Sequence, residues 1–370
     1  MRPLTILVLL FFVIGSCSNN VEPKVDSVLV DMKVTPSYER FPDSTHNRIR
    51  SFFETLSDQG KFSGTALFYR DRMIDSFALG IRGSDKSDSL RVHDQFQLAS
   101  LSKPFTALAI LKLVSEKRIS LDDSISTFLP CTPYHNVTVK QLLTHTSGIG
   151  YYAYVTDSLW GLPTYFMQNA DLMTMFECEE IPNYFEPGRQ FNYCNTNYVL
   201  LADIIEAETQ IPFGVYIKNE VFDRLNMKDS EILDVFNKAP QEYIVRGHAA
   251  SGKCMEPSYL DGVNGDKGMY SSLGDLFEFY RQMDELTIVD AKLWSDARSP
   301  QIKSGRREAY GFGWRIKQLN DSDSLVYHNG WWRGFRSYFW ASKKHDKAVI
   351  ILSNSLKGDY LKKEEVWNLF

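Results

Sequence analysis

The stretch "PFTALAILKLV", residues 104–114, constrains this chain more than any other. As a helix it is apolar on nearly every side, interrupted only by Thr106 and Lys112, and such a helix packs at the centre of a fold. Pro104 has to lie in its first turn, where a missing N–H leaves nothing unsatisfied. The helix therefore begins close to Ser100, in "LASLSKPFTA". Backbone N–H groups lack partners at a helix start, and the dipole there favours negative charge. Residues three apart share a face, which lets Ser100 meet Lys103 and turns Ser102 elsewhere. A serine hydroxyl becomes a nucleophile when a base takes its proton, and a lysine does so where burial or positive surroundings favour its neutral form. Lys103, beside a buried helix start, has such surroundings. The residue before a proline is biased away from helical angles, and S-x-x-K alone is a weak signal. A plain cap at Ser100 with a solvated Lys103 fits the same letters.

The remaining chain predicts what the helix is buried in. At 370 residues and 44% hydrophobic, there is enough chain for one large core or two modest ones. "PDSTHNRIRSFFETL" predicts a helix with Ser44 or Thr45 as cap. "SGTALFYR" and "MIDSFALG", separated by Asp71 and Arg72, predict a hairpin. Residues 116–264 are mostly helical by period, "YVLLADIIEAE" most clearly. After another helix in "GMYSSLGDLFEFYRQM", strands return in "YGFGWRI", "SLVYH", "FRSYFWAS" and "KAVIILSN", and a closing helix follows Lys357. This order predicts an α/β (α+β) fold with one sheet built from both chain ends and flanked by helices. The sheet lobe takes about 42–115 and 265–370, the helical lobe about 116–264, and the groove between them is the place for a site. No internal repeat is present.

The ends and the charges narrow the setting. Arg2 is followed by "LTILVLLFFVIGS", a run too short for a membrane span and ending in small residues, which reads as a signal peptide over residues 1–16. "IGSC" resembles the lipobox of bacterial lipoproteins, which implies a lipidated Cys17 and a chain held at a membrane surface. Residues 17–41, polar with scattered prolines, read as a tether. The net charge of −5 has interspersed signs, with no basic stripe to grip nucleic acid. Cys131, Cys178, Cys194 and Cys254 allow three disulfide connectivities, and none has metal-ligand spacing with a histidine. No metal or cofactor is expected.

Several blocks in order carry a family resemblance: "FQLASLSKPFTALAILKLVSEKRISLDDSISTFLP", "VTVKQLLTHTSGI", "FEPGRQFNYCNTNYVLLADIIE", "VFDRLNMKDS", "GMYSSLGDLFEF", "YGFGWRI" and "YHNGWWRGF". Together they resemble the serine β-lactamase and penicillin-binding protein family, in its class C-like branch. That branch holds β-lactamases, D-alanyl-D-alanine carboxypeptidases, D-aminopeptidases and esterases. The likeness covers most of residues 44–355 and implies a mainly antiparallel, β-lactamase/DD-peptidase-like sheet lobe. It implies Ser100 as nucleophile and Lys103 as base.

The family's Y-x-N motif has three candidates here, Tyr134–Asn136, Tyr193–Asn195 and Tyr327–Asn329. Only the middle one follows an E-P-G loop and opens an amphipathic helix. Tyr193 is then implied as the second proton-transfer group and Asn195 as a substrate contact, with a Cys194 thiol next to the site. For the K-[ST]-G or H-x-G motif, Lys303-Ser304-Gly305 precedes "YGFGWRI", whereas His328-Asn329-Gly330 sits at the end of "SLVYH" and precedes "GFRSYFWAS", as the family order requires. His328 and Gly330 are chosen, and Lys303 is left to a solvated loop.

The resemblance puts Asn329 where a hydroxyl residue normally helps hold a substrate carboxylate, and Arg333 or Arg336 reads either as the cation that supplies this role or as a surface charge. A protonated His328 that bound the carboxylate would make binding weaken as pH rises through about 6.5. The resemblance places the oxyanion donors on the amides of Ser100 and Trp331. His145 reads as a structural loop histidine, Trp331 and Trp332 as pocket lining or packing, and Asp122–Asp123 and Glu179–Glu180 as caps and solvated faces. The implied function is an exported serine hydrolase. A D-amino-acid peptidase on cell-wall peptides comes first, an esterase second and a β-lactamase third. A penicillin-recognising sensor that acylates without turnover is the alternative from another class.

Overall fold

The computed structural model describes residues 38–161, 164–178, 183–233, 244–320, 323–342 and 344–370. The signal segment, Cys17, the tether up to residue 37 and the Glu179–Glu180 pair lie outside the described residues, as does the side chain of Cys178. Twelve strands are described: β1 (Glu39–Arg40), β2 (Gly64–Arg70), β3 (Met73–Leu79), β4 (Phe96–Gln97), β5 (Glu231–Ile232), β6 (Met269–Ser271), β7 (Ile302–Lys303), β8 (Glu308–Tyr310), β9 (Arg315–Asn320), β10 (Asp323–Trp332), β11 (Phe335–Ser342) and β12 (Lys347–Ser353). Nine form the main sheet, in the order β1-β3-β2-β12-β11-β10-β9-β8-β7. Every pairing in it is antiparallel except β1 with β3. The two chain ends meet where β2 pairs with β12, from Gly64 opposite Ser353 to Arg70 opposite Lys347.

Ten α-helices are described beside the strands: α1 (Asp43–Asp58), α2 (Lys103–Ser115), α3 (Val139–Leu143), α4 (Tyr152–Leu159), α5 (Asn169–Cys178), α6 (Thr196–Thr209), α7 (Phe213–Ile217), α8 (Leu273–Gln282), α9 (Ala291–Ala297) and α10 (Lys363–Trp367). Strands β2 and β12 read as unbroken apolar runs because both sheet faces are covered. Their side chains alternate as the strand period requires. Leu67, Ile350 and Leu352 join the large core with α2, α6 and α8, while Ala66, Phe68, Val349 and Ile351 join a second core with Ile49 and Phe53 of α1 and Val366 of α10. Helix α2 is buried from Lys103 through Leu113, as an all-round apolar helix demands.

Three local details differ from the sequence reading. Helix α1 starts behind Pro42 with no side-chain cap, and Ser44 and Thr45 lie inside its first turn, where Asp43 faces the dipole instead. Strand β1 and the buried Phe41 belong to the folded body, inside the stretch read as tether. Strand β10 does not end at His328 but continues to Trp332, so His328, Asn329 and Gly330 lie within a strand. The β2–β3 hairpin turns on Asp71 and Arg72, whose φ values of 51° and 67° suit the two-residue turn that matches strand twist. A small sheet, β4-β6-β5, ties the segment before Ser100 to the one after Asp266 through Phe96–Ser271 and Gln97–Tyr270 pairs.

Candidate active site

Ser100 sits on a single 3-10 turn, Ala99–Ser102, between β4 and α2. Ala99 is buried with φ of 52°, a left-handed conformation that costs a non-glycine residue about 1–3 kcal/mol and persists only where its surroundings enforce it. Strand β10 and its neighbour β11 supply that enforcement. Ser337 Oγ, on β11, donates to the Leu98 carbonyl at 2.6 Å. Gly330, on β10, lies so close to the turn that a Cβ there would stand 2.1 Å from the same oxygen. The turn is thus clamped against the sheet.

Lys103, the first residue of α2, is fully buried. Its Nζ donates to Ser100 Oγ at 3.0 Å and to the backbone carbonyl of Asp266 at 2.9 Å. It lies 5.0 Å from the ring centroid of Tyr193 and 5.6 Å from that of Tyr198. With one proton on the Asp266 carbonyl, a neutral amine here would aim its lone pair at the serine hydroxyl, which is the geometry a general base needs.

Tyr193 and Asn195 immediately precede α6, and His145 holds them. His145 is fully buried, and burial first, then Lys103 and Arg315, press its pKa well below the usual histidine value. Its Nδ1 accepts from the Cys194 backbone N–H at 3.1 Å, which puts the ring proton on Nε2. Its carbonyl accepts from Asn192 N at 2.9 Å, and its ring lies 4.4 Å from that of Tyr193. Asn195 Nδ2 donates to Tyr151 at 3.4 Å, while its buried Oδ1 has no hydrogen-bond partner among the described residues. The Cys194 thiol, expected next to the site, does not line the active-site cleft. It is buried and points at the Gly150 carbonyl, 3.6 Å away, and burial pushes its pKa up. Cys131, Cys194 and Cys254 are free thiols.

The open cleft, of about 510 Å³, is lined by Ser100, Tyr193, Asn195, Arg315, Gly330 and Trp331, among others. His328 is not on its surface. It is fully buried, with Nδ1 donating to the Asn329 carbonyl at 2.8 Å and Nε2 accepting from Tyr310 at 3.2 Å. Burial, then Arg315 and Lys103, hold its pKa well below 6.5. A charged His328 on a substrate carboxylate is therefore corrected to a neutral His328 behind the cleft wall.

The expected Arg333 is corrected as well. It occupies the β10–β11 turn with φ of 41° and donates from Nη2 to the Glu256 carbonyl. Arg336 donates to the carbonyls of Leu356, Gly358 and Asp359 and stacks on Tyr360. Neither reaches the cleft.

Two cations do line it, Lys363 and Arg315, the latter at the start of β9 with its guanidinium carbon 4.7 Å from the Tyr193 ring centroid. Arg315 has no role in the sequence reading, although it stands within "YGFGWRI". The available signal is a lone cation in an otherwise uncharged aromatic block. Trp331 is 51% exposed and lines the cleft, whereas Trp332 donates to Asp261 Oδ1 and packs over Lys267. Lys303 lies on edge strand β7, in a separate groove.

A serine and a buried lysine at one helix start, with a tyrosine ring beside both Lys103 and Arg315, define a serine hydrolase. The chain belongs to the Beta-lactamase family, whose family model matches residues 49–368. It is similar to penicillin-binding protein 4* of Bacillus subtilis, 29% identical over 323 residues that span 83% of this chain and 71% of that protein. Among solved structures, a penicillin-binding protein from Bacillus halodurans is 25% identical with a TM-score of 0.76, covering 86% of this chain and 99% of the other. A D-stereospecific amidohydrolase from Streptomyces, 24% identical with a TM-score of 0.72 over 88% of this chain and 98% of its own, shares the fold.

Proposed function

We propose that this protein is exported, held at the bacterial cell envelope by a lipid on Cys17, and cleaves D-amino-acid peptides of the cell wall through an acyl-enzyme on Ser100. The observation that carries the reading is the buried Lys103 Nζ 3.0 Å from Ser100 Oγ, with Arg315 facing the same cleft. A base stands beside a nucleophile, and a permanent cation stands one aromatic ring away, where the carboxylate of a leaving amino acid would lie. Ser100 Oγ attacks the scissile carbonyl as Lys103 takes its proton. The amides of Ser100 and Trp331 receive the oxyanion, a contribution of ~3 kcal/mol for such a donor. The unpartnered Asn195 Oδ1 accepts a substrate N–H. Tyr193 passes the proton to the departing amine, whose carboxylate rests on Arg315, and water then releases the acyl group. The likeness to penicillin-binding protein 4* supports penicillin as a probe.

The esterase reading stays second for one reason. Asn329 Oδ1 is taken by Trp340 Nε1 at 2.7 Å, so carboxylate recognition falls mainly on Arg315. Arg315→Met should therefore raise KM for a peptide with a free C-terminal carboxylate by about tenfold or more. An unchanged KM would favour small acyl esters. Because His328 is held neutral and Arg315 stays charged, that KM should remain level from about pH 5.5 to about pH 7.5. A rise through the histidine range would return the role to His328.

The deciding experiment is intact mass of a soluble form beginning near Val21, mixed separately with penicillin and with a p-nitrophenyl ester, beside Ser100→Ala. A Ser100-dependent penicillin adduct that hydrolyses slowly supports the peptidase, and one that never hydrolyses indicates a sensor. Ester turnover without any adduct indicates an esterase, and no Ser100-dependent chemistry with either refutes the assignment.

A further inference from the structure

Another buried lysine lies behind the catalytic base, outside the S-x-x-K, Y-x-N and H-x-G motifs. A role for it rests on Ser100 being the nucleophile and Lys103 the base. Lys267 follows Asp266, whose backbone carbonyl accepts from Lys103 Nζ at 2.9 Å. Both Asp266 and Lys267 are buried. Lys267 Nζ donates to the Tyr152 hydroxyl at 2.8 Å, to Asp266 Oδ1 at 3.3 Å and to the Val263 carbonyl at 3.3 Å. The Tyr152 hydroxyl in turn donates to Asp266 Oδ2 at 3.1 Å, which closes a ring of three side chains. The Trp332 ring centroid lies 4.9 Å from the same lysine nitrogen. Three acceptors and an indole face suit an ammonium, which has three N–H groups to place, better than a neutral amine. Burial presses the Lys267 pKa down, and Asp266 and then Asp261 oppose it.

The backbone at Asp266 is held without this pair. Thr106 Oγ1, on α2, donates to the Gly265 carbonyl at 2.8 Å. Gly265, with φ of 100°, packs so closely on α6 that a Cβ would stand 2.2 Å from the Tyr198 carbonyl oxygen. What Lys267 adds is charge. From α6 and the segment before it, Lys103 meets the Tyr193 and Tyr198 rings and the Cys194 thiol, and burial keeps the proton on Tyr198 and on Cys194. His145, after α3, and His328, on β10, are both held neutral, and Arg315 stands across the Tyr193 ring. Asp266 brings a carboxylate into these surroundings, on the same residue whose carbonyl meets Lys103. Asp261, which accepts from Trp332 Nε1, is partly open to water and therefore screened. The two lysines are close enough to repel, since Lys103 also presses the Lys267 pKa down. A buried carboxylate without a counter-ion would favour the protonated, non-basic form of Lys103.

We propose that Lys267 is a positioning residue for this proton transfer: its ammonium cancels the Asp266 carboxylate behind the base, so that no unbalanced negative charge keeps a proton on Lys103. Lys267 itself exchanges no proton. Ser100 Oγ bonds the acyl carbon as the leaving group departs, and the serine proton goes to Lys103 Nζ. Removing either member of the pair should therefore act on acylation with opposite sign.

Stopped-flow acylation by a p-nitrophenyl ester, followed from about pH 5 to about pH 9, tests this. The rate should rise with pH along the limb on which Lys103 gives up its proton. Lys267→Met, which leaves the Asp266 carboxylate unopposed, should carry that limb up by about one pH unit. Acylation below the limb is then about tenfold slower and approaches the parental rate above it. Asp266→Asn, which leaves the Lys267 charge unopposed, should carry the limb down. The double variant Asp266→Asn/Lys267→Met removes both charges, leaves no unpaired buried ion, and should return the limb to the parental pH. Each single variant that folds decides by itself. A limb that stays at the parental pH, or moves the other way, overturns the proposal, as does a rate lowered by one factor at every pH, the mark of a merely structural role. A double variant displaced as far as Lys267→Met overturns it too. A parental protein with no Ser100-dependent acylation would instead overturn Ser100 and Lys103 as the reacting pair.

Discussion

Lys103→Met is expected to slow acylation of Ser100 by about 10³-fold, within the range a positioned general base supplies, without lowering thermal stability. The two halves of that result have separate causes. Lys103 Nζ is fully buried with a hydroxyl and a backbone carbonyl as its hydrogen-bond partners. A buried amine whose partners are one hydroxyl and one carbonyl is costly to take out of water, and an unbranched thioether of similar length fills the same space between the Tyr193 and Tyr198 rings. The Asp266 carbonyl loses one donor, a cost of about 1 kcal/mol, which removal of the buried amine offsets. Stopped-flow release of p-nitrophenol gives the acylation rate, and a melting curve gives the stability. Acylation within tenfold of the parent would remove Lys103 from the proton path.

Gly330→Ala should damage both properties at once. The added methyl carbon would stand 2.1 Å from the Leu98 carbonyl oxygen, 2.3 Å from Ser337 Oγ and 3.1 Å from Ala99 Cβ. Ser337 can rotate, but the Leu98 oxygen is backbone and belongs to the turn that carries Ser100. Relief requires β10 and that turn to part by about 1 Å, and a misplacement of that size costs about 10²-fold in rate. Overpacking of this kind also costs about 1–3 kcal/mol. Urea unfolding and acylation measured on one preparation should therefore fall together. A variant with parental stability and parental acylation would mean that the strand and the turn are not in the contact described.

The contrast between these variants shows why some of the site is legible in the chain and some is not. The Ser100–Lys103 pair is a local fact, since residues three apart at a helix start meet whatever surrounds them. The placing of Tyr193 and Asn195 rests instead on the E-P-G loop and the following amphipathic helix, read through a family resemblance. Gly330 is picked out the same way, but the reason it has to be glycine is the approach of β10 to Leu98, which no local pattern encodes.

What the sequence by itself determined was periodic and local: the central helix α2, the β2–β3 hairpin, the sheet completed from both chain ends, and the serine–lysine pair at the helix start. Tertiary structure alone decided the charges around that pair. Arg315 rather than Arg333 faces the cleft because β9 pairs with β10 in the register that sets Arg315 opposite Tyr327, while Arg333 is drawn into a turn against Glu256. His328 is neutral because the strand carrying it is buried beside two cations. Lys363 arrives from the far end of the chain. Periodicity is written residue by residue, but the sign and burial of a charge depend on neighbours dozens of positions away, which only the packed fold brings together.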